Sequence, residues 1–571
     1  MLNNVKKHFI HPIEFSNNVY DTPDNIFSDL ELLNTTEPSN NTIYDVLVKP
    51  KTEIGKACIE KWASKYTTDK IYLRNTQQII ETMKSANTND TVIDAWNSYK
   101  IIKEDKGFID RFQYINWDSL KFLNSSVMFM SVLSAYSIMS PLLNLVAPLL
   151  ILLVPFFIMR IKKMPINIQT YCAILLASIK NHSLGKLITQ WRSTSWSQSM
   201  YLIFMSGMYF YNIYQNAISC YRFYKNTYII NNDIHILTKY IKHTDSKIND
   251  YLDIIKDLPA YTKYTEYLKA KQQTLAKLYD TLNVIPTDGG VYNKARYIGY
   301  TMKQYYELYS EVDVEDCLLF SFGFHGYLEN MSNIITLKDE KKLSKAKFIT
   351  SKNPTLKIRK GYFPIIQTEK IIKNSINLKK NKLITGPNAS GKTTLLKATI
   401  VNLLVSQQIG YGFYKSAIIT PFDFIHSYLN IPDTSCRDSL FQAEARRCLD
   451  ILNTIKKNKD KKHFCIFDEL YSGTNPYEAI SGAKAYLEEI CNYNQVRFML
   501  TTHYIQLCEQ LNTHEKISNI NMEFEFKGIT PIYKYKIKEG ISTVKGGVTV
   551  LRDLGYPEHI IKNAIKNVKK L

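Results

Sequence analysis

The residues best equipped for chemistry are Gly386 to Thr394, GPNASGKTT, with the adjacent acids Asp468 and Glu469 further along the chain. The first stretch fits G-x-x-x-x-G-K-[ST], a loop whose backbone N–H groups cradle phosphates at a helix N-terminus. Gly386, Pro387, Asn388, Ala389, Ser390, Gly391, Lys392, Thr393 and Thr394 would form that cradle. Lys392 would reach the β- and γ-phosphates, and the Thr393 hydroxyl would sit on Mg²⁺. The acids close an apolar run, Phe464 to Phe467. Asp468 is thereby placed to help hold the metal, and Glu469 to polarise an attacking water. His503 ends a second apolar segment, QVRFMLTTH, and is a candidate γ-phosphate sensor. The implied cofactors are ATP and Mg²⁺, and the implied reaction is hydrolysis to ADP.

Such groups work only if strands and helices hold them. Lys382 to Thr385 reads as the strand before the loop and Leu395 to Leu404 as the helix after it. His463 to Leu470 and Gln495 to His503 read as further strands, with a Gly/Asn/Pro-rich turn opening a helix at about Tyr477. The expected fold of this part is an α/β P-loop NTPase domain. The rest of the 571 residues is long enough for additional domains. Thr42 to Leu47, Thr52 to Tyr66 and Ile71 to Ile80 have the spacing of amphipathic helices. Ile248 to Val284 predicts a long helical stretch interrupted at Pro259. The expected organisation is a mainly α-helical domain in two parts, residues 1–120 and 226–350, around an apolar helical insertion at 121–225. The ATPase domain follows at 351–571.

The insertion is the second informative feature. Phe122 to Met159 carries no charged residue, is broken by Pro141, Pro148 and Pro155, and is closed by Arg160, Lys162 and Lys163. About 20 apolar residues span a bilayer, so residues 122–159 fit a transmembrane hairpin of two short spans joined near Ser140 to Asn144. Its basic flank would stay cytoplasmic. A buried hairpin in a soluble domain is the alternative. Ser193 to Tyr221 is also uncharged but richer in Ser, Tyr, Asn and Gln, and is expected to be interfacial or buried. Lys plus Arg number 72 against 52 Asp plus Glu, a net +20, which suits a polyanionic partner or an anionic membrane surface. The nine cysteines form no C-x-x-C pair, which fits reduced thiols better than a disulfide framework. The opening, MLNNVKKHFIHP, has no apolar core of signal-peptide length. An intracellular protein is expected, with the ATPase domain on the cytoplasmic side if the chain is membrane-associated.

Transporter cassettes and structural-maintenance ATPases carry an LSGGQ-like signature before the acidic strand, and this chain has none. It has DSLFQAEARR (Asp438 to Arg447), which resembles the S-T-F-x-x-E-M segment of the MutS mismatch-repair family. DELYSGTNPYEA is similar to that family's D-E-x-x-x-G-T-S/N-x-x-D/E-G, and TTHYIQL to its A-T-H-Y-x-x-L. The stretch YKYKIKEGIS…GGVTVLRDLGYPEHIIKNA resembles its closing element. The likeness covers about Thr355 to Leu571, and DLELLN, TIYDVL, TEIGKACIEKWASKY and IYLRNTQQII follow the order of the family's lever domain more faintly.

The resemblance implies an ABC-like MutS ATPase domain that dimerises, as a homodimer or a MutS-like heterodimer, with each nucleotide completed in part by the opposite subunit. It implies that Ser439 is offered across the dimer to the partner's γ-phosphate, although Ser439 also reads as the N-cap of the helix Leu440 to Leu452. It implies Ile371 at the adenine site, where the family usually has an aromatic; Ile371 could pack against the base but not stack. The departures are as telling. The core-like segment begins at about Asp29, so neither the mismatch-reading domain nor the connector is expected. The Phe-x-Glu in this chain is Phe467-Asp468-Glu469, inside the acidic strand. A DNA-gripping clamp is replaced by the apolar stretch. The expected function is a MutS-like ATPase coupling hydrolysis to lever movement, with DNA binding related to mismatch repair or recombination. The alternative is a membrane-anchored ATPase switch acting on protein partners.

Overall fold

The computed structural model describes residues 1–35, 41–85, 90–146, 150, 152–163, 167–181, 196–286, 291–366, 371–429, 431, 439–527, 530–542 and 555–568. They form two compact units. One comprises Asp90–Asp245 and Gln273–Leu318 with Met1, and the other Leu2–Asn89, Ser246–Gln272 and Leu319–Leu571.

The second unit is built on a six-stranded sheet in the order Thr530–Glu539, Ile517–Lys527, Asn381–Thr385, Val496–Thr501, His463–Asp468, Phe424–Tyr428. All neighbours are parallel except the Thr530–Glu539 edge, which is antiparallel. Parallel strands are covered on both faces and so read as nearly continuous apolar runs. HFCIFD, buried from His463 to Phe467, is such a run. The helix Lys392–Ile409 is buried along most of its length. The helix Leu440–Lys457 instead buries one stripe, Glu444, Cys448, Ile451 and Ile455, at helical spacing. A second, mixed sheet runs Asn374–Asn377, Leu356–Gly361, Ser416–Ile419, Ser344–Phe348, Tyr411–Gly412.

The N-terminal segment of this unit covers the open edge of the main sheet, where unpaired strand groups would otherwise be exposed. Tyr20 donates to Asp423 (2.7 Å), Asn25 to the Ser427 carbonyl (2.9 Å), and Ser427 to the Asp29 carboxylate (2.6 Å). Gln77 donates to the Ala346 and Gly410 carbonyls (2.9 and 2.7 Å). The helices Ile43–Val48, Glu53–Ala63 and Lys70–Thr82 lie within or across the predicted segments, but the second ends before Tyr66, because Lys65–Thr67 pairs as a strand with Val19–Asp21. The break at Pro259 is present too: a helix ends at Ile255, a 3₁₀ turn spans Pro259–Tyr261, and a new helix spans Thr262–Asn283.

The first unit is helical in its described residues. Asp90–Glu104, Val127–Val146, Ile298–Ser310 and part of the 60-residue helix Trp196–Ile255 form its body. Buried Asp233 accepts from Ser98 (3.1 Å) and Tyr305 (3.0 Å), and Phe108 stacks on Tyr309 at 4.1 Å.

The apolar stretch departs from the expected two-span hairpin. The first helix does not turn at Ser140 to Asn144 but continues through Pro141 to Val146. Proline lacks the N–H that would bond the Ser137 carbonyl; the Ser140 hydroxyl donates to that carbonyl instead (3.5 Å). The next described helix, Val154–Ile161, has 8 residues, too few to cross a bilayer. Among the described residues only Val127–Val146 is long and apolar enough to do so. Pro148 and Ser193 to Ser195 lie outside the described residues. From Trp196 onward the second uncharged run is helical, and most of its large side chains are exposed rather than buried.

Candidate nucleotide site

Three adjacent parallel strands end together. The register pairs Ile384 with Thr501 and Thr501 with Asp468, so the residues following each strand meet at one edge of the sheet. The crevice beyond the carboxyl ends of parallel strands is the ligand position in open α/β sheets. From the first strand comes the loop Gly386–Gly391, from the second His503, and from the third Asp468 and Glu469.

The loop turns into the helix Lys392–Ile409 through Gly391, at φ 91°. A Cβ at Gly391 would lie 3.1 Å from the Tyr535 ring, so both backbone conformation and space require glycine there. Lys392 is buried, and its Nζ donates to the Gly386 and Pro387 carbonyls (3.0 and 3.2 Å) and lies 3.2 Å from His503 Nε2. Burial lowers the Lys392 pKa, while the charges of Glu469 and Asp468 act in the opposite direction. Thr393 donates to Asp468 Oδ2 (2.8 Å), and Thr501 donates to the other oxygen of the same carboxylate. His503 Nε2 lies 2.9 Å from Glu469 Oε1. That hydrogen bond holds the Glu469 carboxyl below its ordinary value against the opposing effect of burial, with the charges of His503 and Lys392 assisting.

Left-handed backbone at non-glycine residues gathers here: Ala389 (φ 59°), Glu469 (54°), Tyr471 (58°) and Tyr535 (54°). Such conformations persist only where the surroundings enforce them, and they cluster at functional sites.

A cavity of about 620 Å³ opens over the loop, lined by Asn388 to Leu395, Glu469, Tyr362, Phe363, Ile371, Met522 and Tyr535 among others. The fit to a magnesium-bound triphosphate can be judged from the loop itself. Ser390 Oγ is buried with no hydrogen-bond partner among the described residues, a group that a phosphate oxygen would satisfy. Among the described residues no cluster of three His, Cys, Asp or Glu could hold a metal. A divalent ion would therefore be shared between Thr393, Asp468 and phosphate oxygens, the usual arrangement for Mg²⁺. The residues fit the group.

The structure thus unites Lys392, Thr393, Asp468, Glu469 and His503, and sets Ile371 on the cavity wall. It does not bring Ser439 into that group. Ser439 caps its own helix, with its hydroxyl accepting from Gln442 N (3.3 Å) and the Gln442 side chain accepting from Ser439 N (2.9 Å); Asp438 lies outside the described residues. Sequence reasoning missed the aromatic walls, Tyr362, Phe363 and Tyr535. It also missed Glu444, whose buried carboxylate accepts from Ser472 N (3.1 Å), Ser472 Oγ (2.8 Å) and Gly473 N (3.1 Å). Glu444 ties the helix that begins at Ser439 to the turn just after Glu469. The glutamate of S-T-F-x-x-E-M was a signal that could have found it.

A family model described as MutS domain V matches residues 382–571. The C-terminal third of the chain is therefore similar to domain V of the MutS family. It is 32% identical over 231 residues to a DNA mismatch repair protein MutS of Bacteroides thetaiotaomicron, covering 38% of this chain and 26% of that protein. It is 28% identical over 215 residues to a DNA mismatch repair protein MutS of Persephonella marina, covering 37% and 24%. To an Endonuclease MutS2 of Lactobacillus acidophilus it is 30% identical over 232 residues, covering 40% and 28%. The matched part of the chain spans about a quarter of the length of these relatives.

Proposed function

We propose that this chain hydrolyses ATP to ADP at composite sites of a dimer and converts turnover into movement of its helical levers, residues 1–120 and 226–350. The observation carrying this is the convergence of Lys392, Thr393, Asp468, Glu469 and His503 at three strand ends. The loop N–H groups and Lys392 bind the triphosphate, and the aromatic wall with Ile371 receives the base. Thr393 and Asp468 hold Mg²⁺, which when bound neutralises charge on the phosphates. Glu469, kept ionised and oriented by His503, accepts the proton of the attacking water. Ser439, at the start of a capped helix clear of its own site, is offered to the γ-phosphate of the opposite subunit.

DNA is the proposed partner, in a role related to mismatch repair or recombination. The net charge and the relatives described as mismatch-repair proteins support it; binding would be phosphate-dominated and fall steeply with salt. A second reading, a membrane-anchored intracellular switch with its ATPase domain on the cytoplasmic side, is favoured by the exposed apolar face of Val127–Val146. Mixing chains tests the composite site. Ser439→Ala and Lys392→Ala should each lose most turnover alone, yet in mixtures regain a fraction, because a mixed dimer keeps one complete site. No recovery from mixtures shown to exchange subunits would contradict it.

A further inference from the structure

Two helices of the first unit bury serines, beside Met130 and Leu202, and turn most of their large apolar side chains outward. The helix Val127–Val146 and the early part of Trp196–Ile255 run antiparallel: Tyr209 donates to the Asn144 carbonyl (2.9 Å) and Cys220 to the Ile138 carbonyl (3.5 Å). The inward residues include Ser134, Ser137, Ser140 and Ser206, all buried. Ser134 and Ser206 have no hydrogen-bond partner among the described residues. Outward stand Val132, Leu142, Leu145, Phe204, Phe210 and Met200, all exposed; only 22% of the apolar window of Val127–Val146 is buried. In water this pattern is inverted, because leucine and phenylalanine belong inside and serine outside. In lipid it is the expected one: small residues let helices approach closely, and the large apolar side chains meet acyl chains.

Charge points the same way. Between Asp118 and Asp233 the sequence has no acidic residue, while it has Lys121, Arg160, Lys162, Lys163, Arg222 and Lys225 among its basic ones. Exposed Tyr221, Tyr224 and Tyr228 recur at helical spacing around exposed Arg222 and Lys225, the aromatic and basic composition of a membrane–water boundary.

We propose that Val127–Val146 and the start of Trp196–Ile255, together with the exposed apolar helices Val154–Ile161 and Ile168–Asn181, form a module embedded in a bilayer containing anionic lipid. Its boundary lies at Tyr221 to Tyr228. The proposal rests on the second reading above for lipid at residues 122–159. It extends that reading to the long helix, which the sequence had placed as interfacial or buried.

The test uses the full chain with phosphatidylcholine vesicles, with and without about one-fifth phosphatidylserine. The expected result is flotation with both, more with phosphatidylserine, and retention through high salt and alkaline extraction. Leu142→Glu with Phe204→Glu, both outward, should reduce the floated fraction roughly tenfold or more, while Ser439→Ala floats normally. A chain that stays soluble without detergent, or that salt removes from vesicles, overturns the embedding, and self-association in solution would then assign the face to protein. ATP turnover measured on the same samples separates the two readings. Flotation without turnover contradicts the proposed hydrolysis alone, and turnover without flotation contradicts this inference and the membrane reading it rests on, leaving the proposed hydrolysis standing.

Discussion

Replacing Glu444 by alanine should uncouple the turn after Glu469 from its support. The carboxylate uses both oxygens, one for Ser472 N and Oγ and the other for Gly473 N. Orphaned buried donors would cost about 1–3 kcal/mol each. Ser472 and Gly473 are exposed residues, however, so water can reach the freed donors. Each bond then contributes about 1 kcal/mol, and the three together about 2–3 kcal/mol. The larger effect is on geometry. The turn follows Glu469 directly, and Phe441 packs edge-on against Tyr471 at 5.7 Å, so freeing it loosens both Glu469, the proposed base, and the helix that begins after Ser439. A misplacement of about 1 Å can reduce a rate on the order of 10²-fold. Glu444 is not on the nucleotide cavity wall, so kcat should fall while KM for ATP changes little. Glu444→Gln keeps one carbonyl oxygen for Ser472 but turns an NH₂ toward Gly473 N–H, and should show a smaller loss of both. Steady-state ATP turnover beside urea unfolding of each variant makes the measurement. A Glu444→Ala chain with reduced stability and unchanged kcat would refute the reasoning, reducing the clamp to a packing feature.

Other outcomes follow from the same geometry. Glu469 is held below its ordinary 4.5 first by the His503 hydrogen bond. Its ionised form therefore stabilises the fold at neutral pH, and that contribution is lost only as pH falls below 4.5 through the folded value. His503→Ala removes the main cause and leaves burial to raise the carboxyl, so the acidic limb of the pH–rate profile should move upward; an unmoved limb would exclude the contact. Gly410→Ala should destabilise the second unit by about 3 kcal/mol, measured by urea unfolding. Gly410 sits at φ 78°, and a Cβ there would lie 2.5 Å from Gln77 Cγ and 2.9 Å from the Leu73 carbonyl oxygen.

What the sequence revealed was what local spacing encodes. The phosphate loop lies between a strand and a helix, and Asp468 ends an apolar run, so their roles follow from neighbours in the chain. The helix after the loop is longer than expected, Lys392–Ile409 instead of Leu395 to Leu404, because Ser406, Gln407 and Gln408 read as polar although all three are buried. Gln407, for instance, donates to the Phe422 carbonyl (2.8 Å). Tyr535 and Met522 were not legible as cavity walls, since strand pairing brings them to the loop across a long sequence separation. Likewise, nothing local in Tyr20, Asn25 or Asp29 announces that they cap the edge of the ATPase sheet. The outward exposure of Phe204 and Phe210 was not legible because polar neighbours diluted the apolar signal, whereas the structure separates the two sets onto different faces.

The most direct test is ATP turnover by the purified chain with Mg²⁺, compared with Glu469→Gln. The unaltered chain should hydrolyse ATP steadily, and the variant should fall on the order of 10²- to 10⁴-fold, the usual weight of a general base, with ATP still bound. Equal turnover by the two chains, or none by either, would contradict the proposed mechanism.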